Sequence, residues 1–246
     1  MSLISPMRIM GIKVDFHWSI LILIFLITRN LAPYLMAKHN SGMIAVGAAC
    51  VFLSAAFIAS ILIHELGHVW AGRKFGIDFH GITIFVLGGA ARMTGQPKTP
   101  KAECLMAIAG PACSIALAVV SFLLALVFGA LGFELVGHSF AILATINGML
   151  GVFNMIPAFP LDGGRVARAA IWKFTGSFAV ATRYSTYGGM ALGSVLVVMG
   201  VVTALGYQTF FGQGIGDGLW IGIIGAIVVL LAKLERKNVL KMGYRP

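Results

Sequence analysis

The sequence predicts an all-α polytopic membrane protein of about six transmembrane helices with a small membrane-associated β element. Three observations carry this: the composition, six long apolar runs, and the sorting of basic residues between them. The 246 residues are 59% hydrophobic and 11% charged, whereas a soluble domain carries about a quarter charged residues. That leaves too little polar surface to cover a water-soluble particle. The net charge of +10 falls in short segments between apolar runs, so it forms no nucleic-acid-binding face.

A spanning helix needs about 20 mostly apolar residues. Six stretches qualify: His17–Met36, Met43–Gly72, Ala102–Leu131, Ser139–Pro157, Phe178–Leu205 and Gly218–Leu234. The segment Ile77–Met93 is of another kind, rich in β-branched and aromatic residues, broken by glycines and too short to span. Its partial alternation predicts a strand or hairpin at the membrane face, and Ile12–Phe16 alternates well enough to pair with it. No cleavable leader is evident, because the apolar run after Arg8 and Lys13 continues to spanning length. One membrane domain, residues 1–246, is expected to fill the chain.

With six spans drawn, every one of the 18 basic residues except Arg29 and Lys38 falls on one side. The positive-inside rule then puts both termini in the cytoplasm of a multi-pass cell-membrane protein. Arg29 is expected to snorkel outward. Gly164–Phe174, with Arg165, Arg168 and Lys173, reads as amphipathic and resting at the cytoplasmic interface. Cys50, Cys104 and Cys113 lack any metal or disulfide spacing and read as small core residues.

Of the eight acidic residues, only Glu65 and Asp162 lie away from links, tails and span ends. An ionisable group at membrane depth is a functional hypothesis by default. Glu65 sits between His64 and His68 in an HExxH pattern near the end of the second apolar run. Residues i and i+4 share a helix face, so both imidazoles can reach one Zn²⁺, with Glu65 beside the metal as a base for water. The alternative is a chance glutamate between two buried helical histidines. Catalytic zinc sites have three protein ligands. Asp162, after Pro157 and Pro160 and before Gly163 and Gly164, which are expected to let the backbone turn tightly, is displayed from a break in the helix and is the expected third ligand. Its alternative role is a helix-capping carboxylate. His17, His39, His80 and His138 lie at span ends or in links and strands. His64 precedes Arg73 by nine residues, about 14 Å of helix, which puts the site nearer the cytoplasm.

At this point the sequence resembles the site-2 protease family of intramembrane zinc metalloproteases. The residues that carry the resemblance are the HELGH of His64–His68 and the downstream FNMIPAFPLDGGR of Phe153–Arg165. The stretches GIKVDFHWS, GITIFVLGGAAR and AGPACSIALA add to it. The resemblance implies one Zn²⁺ per chain on His64, His68 and Asp162, water activation by Glu65, and oxyanion stabilisation by Asn154. Asn154 as a helix cap or interhelical bond is an equal alternative. Relatives often carry asparagine where this chain has Ser114, so the resemblance assigns that position no role. Gly67 is expected to admit a close helix to the metal site or, equally, to serve plain small-residue packing, and Gly88–Gly89 to admit a substrate strand or to form a simple turn.

The implied activity is hydrolysis of a peptide bond within or near the transmembrane segment of a membrane-protein substrate, such as a membrane-tethered transcription regulator. The partners are then that substrate and membrane lipid, with no nucleic acid. A metal-ion transporter would also place His and Asp in spans but does not need Glu65. A non-catalytic scaffold on the same fold would be expected to lose one of the four residues. No PDZ domain fits between the spans, and no CBS domain lies within the 246 residues.

Overall fold

The structure is a computed structural model describing residues 2–39, 41–86, 88–209 and 212–241. Leu87 and Arg245, included in the sequence expectations, lie outside the described residues. The chain divides into two compact units. The first comprises Met1–Pro97 and Ala109–Val152, the second Lys98–Ile108 and Phe153–Pro246.

The first unit opens on a hairpin of β1 (Ser2–Ile9) and β2 (Ile12–His17). Met10 and Gly11 turn the chain, both at positive φ (52° and 76°), as a two-residue hairpin turn requires. The segment predicted as a strand or hairpin is a hairpin: β3 (Phe79–Phe85) and β4 (Gly88–Met93). The expected pairing with the N-terminal stretch is present and parallel, Val14 opposite Ile82 and Phe16 opposite Ile84. The order is β1-β2-β3-β4, so β4 is an edge. Ile12, Val14, Ile82 and Ile84 are buried on one face. On the other, Arg92 of β4 crosses Gly81 of β3 to reach Asp15 of β2 at 2.7 Å. A side chain at position 81 would block that path.

Helices α1 (Ile20–Lys38), α2 (Met43–Arg73) and α4 (Glu134–Asn154) meet around Leu35, Val46, Cys50, Leu53 and Leu143. Helix α3 (Pro100–Ala130) lies against α4, where added methyls at Gly137 and Gly151 would meet the carbonyls of Ala125 and Pro111 at 3.0 and 3.2 Å. Close backbone approach through small residues replaces hydrophobic burial as the packing device where lipid is the solvent.

The second unit contains α5 (Asp162–Thr175), α6 (Phe178–Ala204) and α7 (Ile215–Lys241). Helices α6 and α7 touch backbone to backbone at Gly193 against Gly225 and at Gly200 against Gly218 and Gly222. Ser177 caps α6 by accepting from the Val180 amide.

Six helices among the described residues are long and apolar enough to span a membrane, in agreement with the sequence. Two helices are shorter by more than one residue at one end than expected, α1 beginning at Ile20 after His17 closes β2, and α4 ending at Asn154 before the proline break. Elsewhere hydropathy marks the lipid-facing core of a helix, and polar turns prolong it. Thus α4 begins at Glu134 rather than Ser139, and α7 runs through Lys233–Lys241. The strand β1 carries too little alternation to be found from sequence.

One expectation is corrected. Arg168 does not rest at the interface. It is 1% exposed, its Nε donates to the fully buried Glu103 at 2.7 Å and its Nη1 to Glu235 at 2.7 Å. The rings of Phe159 and Phe178 flank its guanidinium at 5.6 and 4.8 Å. Arg165 lies 4.0 Å from Glu103. Burial and the adjacent Arg168 hold Arg165 below the ordinary arginine pKa, against the pull of Glu103, Asp162 and Glu235. The sequence counted Glu103 as a link residue because it falls in the first turn of α3. Arg168→Ala would leave two carboxylates without their partner, and breaking a buried pair costs about 3–5 kcal/mol. A fall in unfolding temperature is therefore expected by thermal-shift measurement, against no more than a small change for Lys173→Ala.

Candidate metal centre

Helix α2 alone assembles the first part of the site. His64, Glu65 and His68 are all buried, while Ile63 and Trp70 on the opposite stripe are exposed. The two imidazole rings stand nearly edge to face at 4.8 Å, with their Nε2 atoms 3.1 Å apart. Two nitrogens about 2.0–2.1 Å from a tetrahedral zinc would lie about 3.3 Å apart. The pair thus fits the ion by spacing and by donor type.

Three glycines make room for this. A methyl at Gly67 would meet the Ala109 carbonyl and Cys113 Sγ at 2.8 Å, so α3 lies directly on α2. That agrees with the close helix approach expected of Gly67. On α3, any side chain at Gly110 would collide with Nε2 of His68 and stand 2.8 Å from Nε2 of His64. On β4, a side chain at Gly89 would collide with the Glu65 side chain. The edge strand therefore lies flat against the glutamate.

Ser114 is the residue that sequence reasoning passed over. It is fully buried one helical turn beyond Gly110, and its Oγ lies 2.9 Å from His64 Nδ1. A hydroxyl on Nδ1 fixes which way the ring faces and leaves Nε2 for a ligand. The available signal was a polar residue four positions after a glycine in an otherwise apolar run.

In the second unit, Asp162 is the first residue of α5 and is buried. The N-cap is Leu161, which makes no side-chain cap bond, so Asp162 does not occupy the N-cap position itself. A carboxylate in the first turn is nonetheless favoured by the helix dipole. Gly163 and Gly164 were expected to permit a tight turn, but both lie inside the helix. Their physical reason is close approach: a methyl on either would strike the backbone of Met155–Phe159. Gly188 and Gly189 of α6 back the same loop at Pro157 and Phe159, and Ser185 Oγ donates to the Gly164 carbonyl at 2.6 Å. Asn154 ends α4 and is half-buried.

The family model of peptidase family M50 matches residues 52–135 and 129–197, more than half of the chain. The chain belongs to peptidase family M50. It is 34% identical to Rip3 of Mycobacterium tuberculosis over 94% of its own length and 58% of that protein's. It is 31% identical to the zinc metalloprotease MJ0392 of Methanocaldococcus jannaschii, over 80% of this chain and 53% of the relative. The chain thus spans little more than half the length of these relatives. Among solved structures it is similar to the site-2 protease of Methanocaldococcus jannaschii, with a TM-score of 0.63 and 25% identity. That match covers 95% of this chain and 94% of the other. The membrane fold and the M50 motifs therefore agree.

If Ser114 orients His64, Ser114→Ala should weaken zinc affinity by about 10- to 100-fold, the usual effect of losing a ligand's hydrogen-bond partner. Chelator-competition titration of the purified protein measures this directly. Unchanged affinity would remove Ser114 from the site.

Proposed function

We propose that this M50 chain is a single transmembrane zinc endopeptidase domain that hydrolyses a peptide bond within or near the transmembrane segment of another membrane protein. The observation that carries the reading is the paired Nε2 atoms of His64 and His68, 3.1 Å apart and buried beside Glu65 on a spanning helix. His64, His68 and Asp162 would hold one Zn²⁺. They make a donor set of two imidazoles and a carboxylate, all buried, of the kind catalytic zinc sites use. Bound zinc would supply a Lewis acid that polarises the scissile carbonyl and makes water acidic near neutral pH.

The protein's own residues do the rest. Glu65 takes a proton from the attacking water and returns it to the leaving nitrogen as the peptide bond breaks. Asn154 offers amide N–H groups to the oxyanion that forms at the carbonyl. The substrate, helical in lipid, must first expose its backbone, because a carbonyl in a helix already accepts an i+4 hydrogen bond. The edge strand β4 would receive the unwound segment by strand addition. Its Gly89 lies against the Glu65 side chain, so a strand paired there would run past the base. A strand cannot add to β3, which already has neighbours on both sides.

The resemblance to site-2 proteases supports a membrane-tethered transcription regulator as the substrate class, released by regulated intramembrane proteolysis. Both termini would lie in the cytoplasm of a multi-pass cell-membrane protein, since only Arg29 and Lys38 among 18 basic residues fall on the other side. An exported reporter fused after Lys241 would overturn that orientation.

One assay tests the chemistry. Glu65→Gln should lower cleavage by at least about 10²-fold while leaving one zinc per chain by metal analysis, because Glu65 acts as base and not as ligand. In the same assay, replacing Gly, Asn or Pro near the scissile bond of the substrate with Leu should slow cleavage by about tenfold or more. Freeing a helical carbonyl in lipid costs several kcal/mol, and those residues lower the cost. Near wild-type turnover by Glu65→Gln would dismiss the mechanism. Indifference to leucine would dismiss only the unwinding step.

A further inference from the structure

Outside the metal centre, the second unit gathers two positive charges around one aromatic ring and supplies no negative partner. The guanidinium carbons of Arg183, on α6, and Arg236, on α7, lie 5.8 and 4.9 Å from the centroid of the Tyr187 ring. Backbone contact of α6 and α7 through Gly193 and Gly225 holds the two helices together, and the charges with them. Among the described residues, neither arginine has a carboxylate within ion-pair distance. The nearest acid in sequence, Glu235, is committed to Arg168 at 2.7 Å. The Tyr187 hydroxyl hydrogen-bonds to both guanidinium groups, and each guanidinium has further N–H donors that another acceptor could take.

Their depth says what that acceptor could be. Helices α6 and α7 each have 27 residues, about 40 Å of helix against a hydrocarbon core of about 30 Å. Arg183 is the sixth residue of α6 and Arg236 the sixth from the end of α7, about 7.5 Å from those helix ends, from where a long guanidinium side chain snorkels to headgroup level. Tyr184 and Tyr187 beside them are 60% and 41% exposed, as tyrosines of an interfacial belt are. Arg183 is exposed as well.

We propose that Arg183, Tyr187 and Arg236 form a binding site for the phosphate of an anionic phospholipid headgroup. Each guanidinium presents a planar fork of donors that matches phosphate oxygens in pairs, and the Tyr187 hydroxyl adds one further donor. A headgroup with net negative charge neutralises both arginines where a zwitterionic one leaves its own cation nearby. The site sits on α6 and α7 alone and does not depend on the proposed peptidase reaction.

Native mass spectrometry of the full chain in detergent, titrated with phosphatidylglycerol or phosphatidylcholine, tests this. Retained phosphatidylglycerol is expected, and Arg183→Gln with Arg236→Gln should lower its apparent affinity by about tenfold or more. Lys233→Gln with Lys237→Gln removes the same charge from exposed positions nearby and should change it by less than about twofold. Equal loss in the two double variants, or equal retention of phosphatidylcholine, would reduce the effect to diffuse attraction and overturn the site. Displacement of the lipid by millimolar inorganic phosphate would assign the pocket to a soluble anion and overturn the lipid assignment.

Discussion

The approach of α3 to α2 without intervening side chains is the constraint on which the first unit's chemistry depends. Imidazoles at membrane depth need neighbours that leave their nitrogens usable and keep lipid out. Gly67 lets the α3 backbone lie against α2, and Gly110 leaves the space that the two rings occupy. Ser114 then reaches His64 Nδ1 from the same face of α3. A bulkier residue at either glycine would separate the helices, and the orienting hydroxyl would leave with them. The i, i+4 spacing of the histidines is therefore necessary but is not what fixes the ring directions.

The sequence made the spans and the core of the site legible because both are written in local pattern. A 31-residue apolar helix with His64, Glu65 and His68 on one stripe needs no knowledge of its neighbours to be recognised. The pairing of β2 with β3 was likewise visible in two alternating stretches, though its parallel direction was not. What escaped was set by contacts between residues distant in sequence. Ser114 looked like an unremarkable polar residue in a span because its partner is 50 positions away. Arg168 looked like an interfacial cation because Glu103 and Glu235 lie 65 and 67 positions away. The glycines after Asp162 were read for flexibility, yet they serve contact with a loop that folds back on the helix.

Charged residues in this chain thus divide by what surrounds them, and amphipathicity alone does not sort them. On α5, Lys173 and Arg168 are five residues apart, yet Arg168 is enclosed by two carboxylates and two aromatic rings while Lys173 is not. A buried ion pair of this sort contributes less to net stability than to specificity, since desolvation offsets much of the attraction. Its effect is to penalise every arrangement in which α5 slides or rotates away from the first turn of α3 and the end of α7. Asp162 heads that same helix. Fixing α5 by its sixth residue after Asp162 fixes where the carboxylate starts.

The same division explains why Arg183 and Arg236 stand out. Arg168 and Arg92 each find an acid at 2.7 Å, and Lys74 lies 3.5 Å from the Trp70 ring centroid as a single cation. Arg183 and Arg236 instead share one tyrosine, on two helices in close backbone contact through their glycines. The Tyr187 hydroxyl hydrogen-bonds to both, and each guanidinium keeps further donors that a phosphate could take. At the depth of those helix ends, the abundant anion is the lipid phosphate. The chain then uses its scarce charge in two distinct ways, sealing one arginine inside protein to hold a helix and leaving two at the boundary to hold the membrane.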